Sequence, residues 1–129
     1  MIVMVSIRNC AGFLSVLTGL ILAGPAQTHH SHSNYETREY THLQGEVTEF
    51  HWINPHTWIF IQVLDDQGQP SVWALEGASP TELRRDGWEQ DDVEVGDNIS
   101  VRCHQLKDGS NGCLLGFLTP EGGEEKEWD

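Results

Sequence analysis

Three of the seven histidines of this chain, His29, His30 and His32, lie within a stretch of four residues. Imidazole nitrogens suit Cu(II) and Ni(II), and His-rich tracts commonly bind such ions. The simpler interpretation is a solvated polar segment with incidental metal affinity. The cluster therefore raises the hypothesis of a Cu(II) or Ni(II) site near the start of the mature protein.

An export signal is predicted immediately before this cluster. The uncharged apolar run at residues 10–24 follows the single cation Arg8 and has the length of a signal-peptide core, short for a membrane span. We predict a signal peptide over residues 1–26, cleaved after Ala26. Cleavage after Ala23 and an uncleaved anchor are the alternatives. The processed protein would then be periplasmic or secreted, with no membrane anchor.

The cleavage position decides which nitrogens are available to a metal. Cleavage after Ala26 would make His29 the third residue of the mature chain. The amine of Gln27, the amides of Thr28 and His29, and the His29 imidazole could then surround a square-planar ion with four nitrogens, a geometry typical of Cu(II) or Ni(II). Cleavage after Ala23, or cyclisation of Gln27, would remove this site.

A second group of candidate residues surrounds an Asn-Pro turn: His51, Trp52, Asn54, His56 and Trp58. We expect His56 to be a further metal ligand and the other four to contact a bound ligand, with the tryptophans as a stacking platform. The competing interpretation is that the tryptophans fill one end of a small core and that Asn-Pro is ordinary turn chemistry. A protein, peptide or glycan interaction module is thus the alternative to metal binding.

Two further features of the sequence bear on this turn. Glu76 could lie near it, although a solvated or capping carboxylate is the simpler interpretation. An arm histidine could also fold back to meet His56, but sequence spacing does not determine this. No nucleophile elbow, HExxH motif or phosphate-binding loop occurs, so we predict a binding protein and not an enzyme.

Cys103 and Cys113 are the cysteines that remain after processing. They bracket a run of turn-forming residues at 107–112, and an exported protein meets an oxidising compartment. The spacing predicts a disulfide across a β-hairpin.

The charge of the chain excludes one class of partner. Lys and Arg number 7 and Asp and Glu number 20, for a net charge of −13. Such a surface repels phosphate backbones, so we expect no nucleic-acid partner and consider a metal ion or a protein instead.

The elements that must position these groups are mainly strands. Apolar residues alternate with polar ones from Leu43, with a change of phase that predicts a bulge near Gly45 or Glu49. Further strands are predicted at residues 58–64, 71–76, 99–105 and 113–119. The segment Ser79-Pro80-Thr81-Glu82 predicts a capping box, and the short helix after it should stop at Gly87.

The order of elements predicts an all-β domain with one short helix, an OB-like, five-stranded, partly open barrel (β-β-β-α-β-β). A five-stranded sandwich with a side helix is the alternative. We place a His-rich flexible arm at residues 27–42, the barrel at 43–120 and an acidic disordered tail at 121–129.

Several short motifs resemble a family of small exported bacterial proteins whose domain has no assigned function. They cover nearly all of residues 29–120. The first are a His-His-Ser start (His29-His30-Ser31), Gly-x-Val (Gly45, Val47) and Trp-x-Asn-Pro-His (Trp52, Asn54, Pro55, His56). The others are Trp-x-x-Glu (Trp73, Glu76), Arg-Arg (Arg84, Arg85), Gly-Trp (Gly87, Trp88) and Gly-Asp (Gly96, Asp97). The resemblance implies export and a small β-barrel, and it transfers no activity. Cys103 and Cys113 are not part of the motif pattern.

Overall fold

The computed structural model describes residues 32–129. Its regular elements, besides short 3₁₀ turns at His32–Asn34 and Gln90–Asp92, are β1 (Thr41–His51), β2 (Trp58–Leu64), β3 (Pro70–Glu76), α1 (Pro80–Arg85), β4 (Asn98–Gln105), β5 (Gly112–Thr119) and β6 (Lys126–Glu127). The five predicted strands and the helix are therefore present, and β6 is an addition.

The strands form one sheet that closes on itself. Their order is β3-β2-β1-β4-β5-β6, and β3 also pairs with β5 in parallel. This parallel pairing covers three residue pairs, from Ala74–Gly112 to Glu76–Leu114. This pairing covers the otherwise free edges of β3 and β5. Because the pairing is short, the barrel stays partly open. The topology confirms the OB-like fold and not the sandwich.

The change of phase in β1 is a bulge. The register of β1 against β2 shifts between Val47 and Glu49, next to the second of the two predicted positions. Val47 is buried in the core, and Phe50, three residues later, packs against the same core. The extra residue thus returns the apolar side chains of β1 to the inside of the barrel.

The capping box at α1 is also confirmed. The Glu82 amide donates to Ser79 Oγ over 3.3 Å, and the Ser79 amide donates to Glu82 Oε2 over 3.1 Å. Gly87, just past the helix, has a φ of 87°, which favours glycine. The helix buries Leu83 in the barrel core.

The core is filled by inward-facing residues of all five long strands together with side chains from outside them. In β2, for example, Ile59 and Ile61 are fully buried. The predicted disulfide joins Cys103 of β4 to Cys113 of β5, with Cα atoms 5.6 Å apart. Both cysteines are buried, so the bond is part of the core.

The described part of the arm is docked, and for these residues the prediction of a flexible arm is wrong. Tyr35 pairs with Leu106 as an isolated bridge, and the Glu36 amide donates to the Gln105 carbonyl over 2.8 Å. These are backbone contacts, which a polar composition does not reveal. Residues 27–31, with His29 and His30, lie outside the described residues.

The acidic tail is likewise ordered, and the prediction of disorder is wrong. β6 pairs with β5, and Trp128 is fully buried. The Trp128 amide donates to the Gly116 carbonyl over 2.9 Å, and its indole nitrogen lies 3.3 Å from Thr57 Oγ1. One large apolar side chain is enough to hold a segment whose average composition is polar.

No helix within residues 32–129 is long and apolar enough to cross a membrane.

Candidate binding pocket

A small pocket lies where the docked N-terminal segment, the turn before β2 and the start of α1 meet. Its volume is about 240 Å³, and it is lined by His32, His56, Gly77, Ala78, Ser79, Glu82, Arg85, Leu114 and Asp129. The structure therefore brings an arm histidine and the turn histidine to one pocket.

His56 is tied to a buried carboxylate beside this pocket. Its Nδ1 forms a short hydrogen bond with Glu76 Oε1, and the hydroxyl of Tyr35 donates to Glu76 Oε2 over 2.6 Å. The Glu76 side chain is 11% exposed and that of His56 is 26% exposed. Tyr35, Glu76 and His56, which we call the Tyr-Glu-His chain, thus link three separate parts of the sequence.

The position of Glu76 follows from the register of the sheet. Glu76 lies opposite Trp58, and its neighbour Leu75 lies opposite Ile59. Leu75 and Ile59 face the core, so Glu76 and Trp58 are on the outer face of the barrel. Tyr35 and His56 therefore bind Glu76 from outside the barrel.

The environment of Tyr35 favours its protonated form. Burial raises the pKa of the Tyr35 hydroxyl well above its usual value, and the hydrogen bond to Glu76 and the charge of Glu76 raise it further. A protonated phenol is a hydrogen-bond donor, which suits an ionised carboxylate that can only accept.

The rim of the pocket carries charges of both signs. Hydrogen bonds from the side chain and backbone of Ser79 lower the pKa of Glu82, and the nearby charges of Arg85 and His56 contribute less. Glu82 is thus ionised at neutral pH. A pocket with this rim and two imidazoles can bind a cation or a small polar molecule.

The described residues do not complete a metal site by themselves. Within residues 32–129, no three His, Cys, Asp or Glu side chains are grouped so that they could hold a metal ion. His32 and His56 would need further ligands, and the predicted ligands His29 and His30 lie outside the described range.

The other predicted residues around the Asn-Pro turn are not among those that line this pocket. The His51 side chain is 42% exposed and its Nε2 lies 3.5 Å from Glu49 Oε2. Trp58 is opposite His51 in the β1–β2 register and lies on the outer face. Asn54 is exposed in the turn and precedes Pro55 through a cis peptide bond.

Trp52 belongs to an aromatic cluster at one end of the barrel. Its ring centroid lies 5.9 Å from that of Phe50 and 6.3 Å from that of Trp128, and Trp88 packs on Trp128 at 4.4 Å. The guanidinium of Arg84 covers the Trp52 ring at 5.6 Å. These contacts match the competing interpretation for Trp52, in which a tryptophan fills the end of the core.

Sequence reasoning missed Tyr35 and underrated Glu76. Tyr35 is one of two tyrosines in a polar segment, and no periodicity marks it. Glu76 carries a weak signal, because it ends an otherwise apolar strand, where a charged residue needs a partner if it is buried.

Comparison with known proteins gives a family and a distant structural likeness. The model of the family of unknown function DUF6152 matches residues 18–115. No curated protein matches the chain. A crystal structure of the mitochondrial single-stranded DNA-binding protein Rim1 from S. cerevisiae superposes with a TM-score of 0.48 at 11% identity, over 63% of this chain and 91% of that chain.

Proposed function

We propose, for a chain that belongs to the family of unknown function DUF6152, a role as an exported, non-catalytic protein that binds Cu(II) or Ni(II). The proposed ligands are His29, His30 and His32 from the N-terminal segment and His56 from the barrel. The observation that carries the proposal is that His32 and His56 line the same small pocket.

The docking of the N-terminal segment supports this assignment. The Lys107 amide donates to the Asn34 carbonyl over 2.9 Å, and Lys107 Nζ donates to the Ser33 carbonyl over 2.7 Å. These bonds hold the chain beside the pocket just after His32.

The chemistry of the ligand set supports the choice of metal. Four imidazoles, or three imidazoles with backbone nitrogen, form a nitrogen-rich set that suits Cu(II) and Ni(II). If export ends with cleavage after Ala26, the amine of Gln27 and the amides of Thr28 and His29 can join the His29 imidazole around the ion. His56 would then be a ligand from the barrel side.

The test is a Cu(II) titration of the exported, naturally processed protein, whose intact mass gives the cleavage position. We expect one equivalent to bind with a nitrogen-dominated electron paramagnetic resonance spectrum. The double variant His29→Ala/His30→Ala and the single variant His56→Ala should each lower the affinity at least about tenfold, the loss typical even for a ligand's hydrogen-bond partner.

The matched control is His42→Ala, since His42 is exposed on β1 and does not line this pocket. It should bind Cu(II) as the wild type does. Unchanged affinity in both the arm and the His56 variants would contradict the proposed ligands. If His42→Ala lost Cu(II) affinity as much as the arm and His56 variants do, the uptake of Cu(II) would be non-specific.

The outer face of β2 and β3, which carries half-buried aromatic side chains and which we call the aromatic face, favours a second candidate function, an interaction module. Trp58 and Phe60 alternate with the buried Ile59 and Ile61, so they face outward. Val72, on the neighbouring strand, is 55% exposed. This face of an OB-like barrel is a common site for ligands, and the net charge of −13 favours a protein, peptide or neutral glycan over a nucleic acid.

Tryptophan fluorescence separates the two candidates. If the aromatic face is the binding site, a partner should change the emission of the wild type but not of Trp58→Ala, and stripping the metal should have no effect. If the pocket is the site, Cu(II) should quench the tryptophan emission of the wild type and of Trp58→Ala at the same number of equivalents.

A further inference from the structure

A groove on the barrel surface lies where β1 and β2 separate. Its volume is about 500 Å³, and its walls include His42, Gln44 and Glu46 of β1 and Gln62, Val63 and Leu64 of β2. We propose that this groove binds an extended, basic segment of a partner protein, which pairs with β1 as an added strand. The groove shares no lining residue with the pocket beside His56, and this binding requires no metal.

The first half of β1 has a free edge beside the groove. Residues 41–46 pair with β4, whereas the pairing with β2 covers residues 46–51 and starts opposite Gln62. The edge of residues 41–45 that faces β2 therefore lies outside the ladder. Such an edge presents N–H and C=O groups to which another extended chain can bind.

The hydrogen bonds of Val47 identify which backbone groups face the groove. Its amide and its carbonyl both bond residues 96–97, just before β4, over 2.8 Å. Successive residues of a strand point their backbone groups to opposite edges. The odd-numbered residues of this part of β1 therefore also face β4, whereas the backbone groups of His42 and Gln44 face the groove.

The charges around the groove favour a basic partner. Residues 39–83, which include β1, β2 and β3, contain seven Asp or Glu and no Lys or Arg. Glu46 lines the groove, and none of the ion pairs within residues 32–129 includes it. Asp65 and Asp66 follow Leu64 of the opposite wall. Lys or Arg in an added strand would meet these carboxylates, which favours both specificity and fast association.

The two faces of the groove differ, and this difference defines the pattern of the partner. Glu46 alternates with the buried Gly45 and Val47, so it lies on the outer face of the barrel. Leu43 and Val63 line the groove and pack against the core, on the inner face. Side chains of an extended peptide alternate between the two faces, so cationic residues that alternate with aliphatic ones match the groove.

A second copy of this chain fits the groove less well than a basic segment does. The chain carries a net charge of −13, and a second copy would bring the same excess of negative charge to an edge that already holds carboxylates. Like charges disfavour such self-pairing.

The first measurement is hydrogen exchange of the β1 amides in the exported, naturally processed protein. Without a partner, we expect the amides of His42 and Gln44 to exchange rapidly and those of Leu43 and Gly45 to be protected by β4. The probe is a peptide of about eight alternating Lys and Val residues, within the usual range of strand lengths, and it should protect His42 and Gln44. Protection of these two amides in the free protein would show that a second copy or another part of the chain occupies the edge, and would overturn the proposal.

The second measurement is the affinity of the labelled peptide by fluorescence anisotropy. The Lys-Val peptide should bind and the corresponding Glu-Val peptide should not, and added salt should weaken the binding. Equal binding of the two peptides would overturn the choice of a basic partner. Protection of His42 and Gln44 by a neutral oligosaccharide such as cellohexaose, and not by the Lys-Val peptide, would overturn it in favour of a glycan.

Two substitutions test the groove itself. Glu46→Gln removes its carboxylate and should weaken peptide binding about two- to fivefold, the contribution of one exposed ion pair. Gln44→Pro removes an amide that faces the groove and leaves the bonds to β4, so it should weaken binding about tenfold or more. Protection of Leu43 and Gly45 in Gln44→Pro verifies that β1 is intact.

Glu49→Gln is the matched control, because Glu49 is exposed on the same strand and does not line the groove. It should bind the peptide as the wild type does. Unchanged affinity in both Glu46→Gln and Gln44→Pro would overturn the site. Because these experiments use no metal, their outcome is independent of whether the protein binds Cu(II).

Discussion

At the scale of single residues, the surroundings of the pocket depend on a side chain that donates one hydrogen bond and accepts another, that of Thr57. Thr57 is fully buried next to His56. Its hydroxyl donates to the Ala78 carbonyl over 2.9 Å and accepts from the Trp128 indole over 3.3 Å. This hydroxyl therefore joins the turn, the start of the helix segment and the C-terminal tail.

Replacing Thr57 with valine should be costly although the shape is kept. The Trp128 nitrogen and the Ala78 carbonyl would each lose a partner in a buried position, so we expect a loss of about 1–3 kcal/mol in the free energy of unfolding. Urea denaturation measures it. Thr48→Val is the control, because Thr48 is exposed and bonds the Phe60 carbonyl over a longer 3.2 Å. Equal stabilities of the two variants would contradict this account.

The backbone of Gly77 lies close to the same two side chains, Thr57 and Trp128. A Cβ added at Gly77 would lie 2.8 Å from Thr57 Oγ1 and closer still to the indole of Trp128. The close approach of the indole thus requires glycine at this position, between the buried Glu76 and the pocket-lining Ala78.

At the scale of elements, the β4–β5 hairpin supports both the barrel and the N-terminal segment. The disulfide crosses the hairpin close to its turn, and residues 105–107, inside the loop that it closes, bond the backbone of residues 34–36. The placement of His32 is therefore coupled to the hairpin.

Removing the disulfide should destabilise the domain. For a closed loop of this size, the chain-entropy relation gives about 3 kcal/mol. We expect urea denaturation to show a free energy of unfolding that is lower by that amount in Cys103→Ala/Cys113→Ala than in the oxidised wild type. The reduced wild type should behave similarly. An unchanged unfolding midpoint after reduction would contradict a structural role for the bond.

At the scale of the whole molecule, the C-terminal tail closes one end of the barrel. Trp128 contacts Phe50, Trp52 and Trp88, and the Trp88 indole donates to the Glu127 carbonyl over 2.6 Å. Arg102 and Glu125 add a bidentate ion pair with bonds of 3.0 and 2.8 Å. The tail is therefore part of the domain.

Trp128→Ala tests this conclusion. Truncating a buried tryptophan typically costs about 3–5 kcal/mol, so we expect a large drop in the free energy of unfolding and loss of protection of the tail in hydrogen exchange. Glu124→Ala, at an exposed position of the same tail, should have little effect. A tail that exchanges freely in the wild type would contradict the ordered structure.

Local sequence signals determined most of the fold. Alternation located the five long strands to within two residues, the capping box and Gly87 defined the helix, and the two cysteines indicated the disulfide. These features depend on neighbours along the chain, so a periodicity or a spacing can reveal them. The candidate histidines were also visible by type alone.

Tertiary structure decided which of those histidines meet and what holds them. Tyr35, Glu76 and His56 are far apart in sequence. Tyr35 is 41 positions from Glu76, and His56 is 20 positions from Glu76. Trp128 likewise fills a barrel end built by much earlier residues. Such contacts depend on how the sheet closes, and a sequence whose composition is polar on average gives no local sign of one buried partner. The His-rich start is thus a sequence feature, whereas the presence of His32 and His56 in the lining of one pocket is a consequence of the fold.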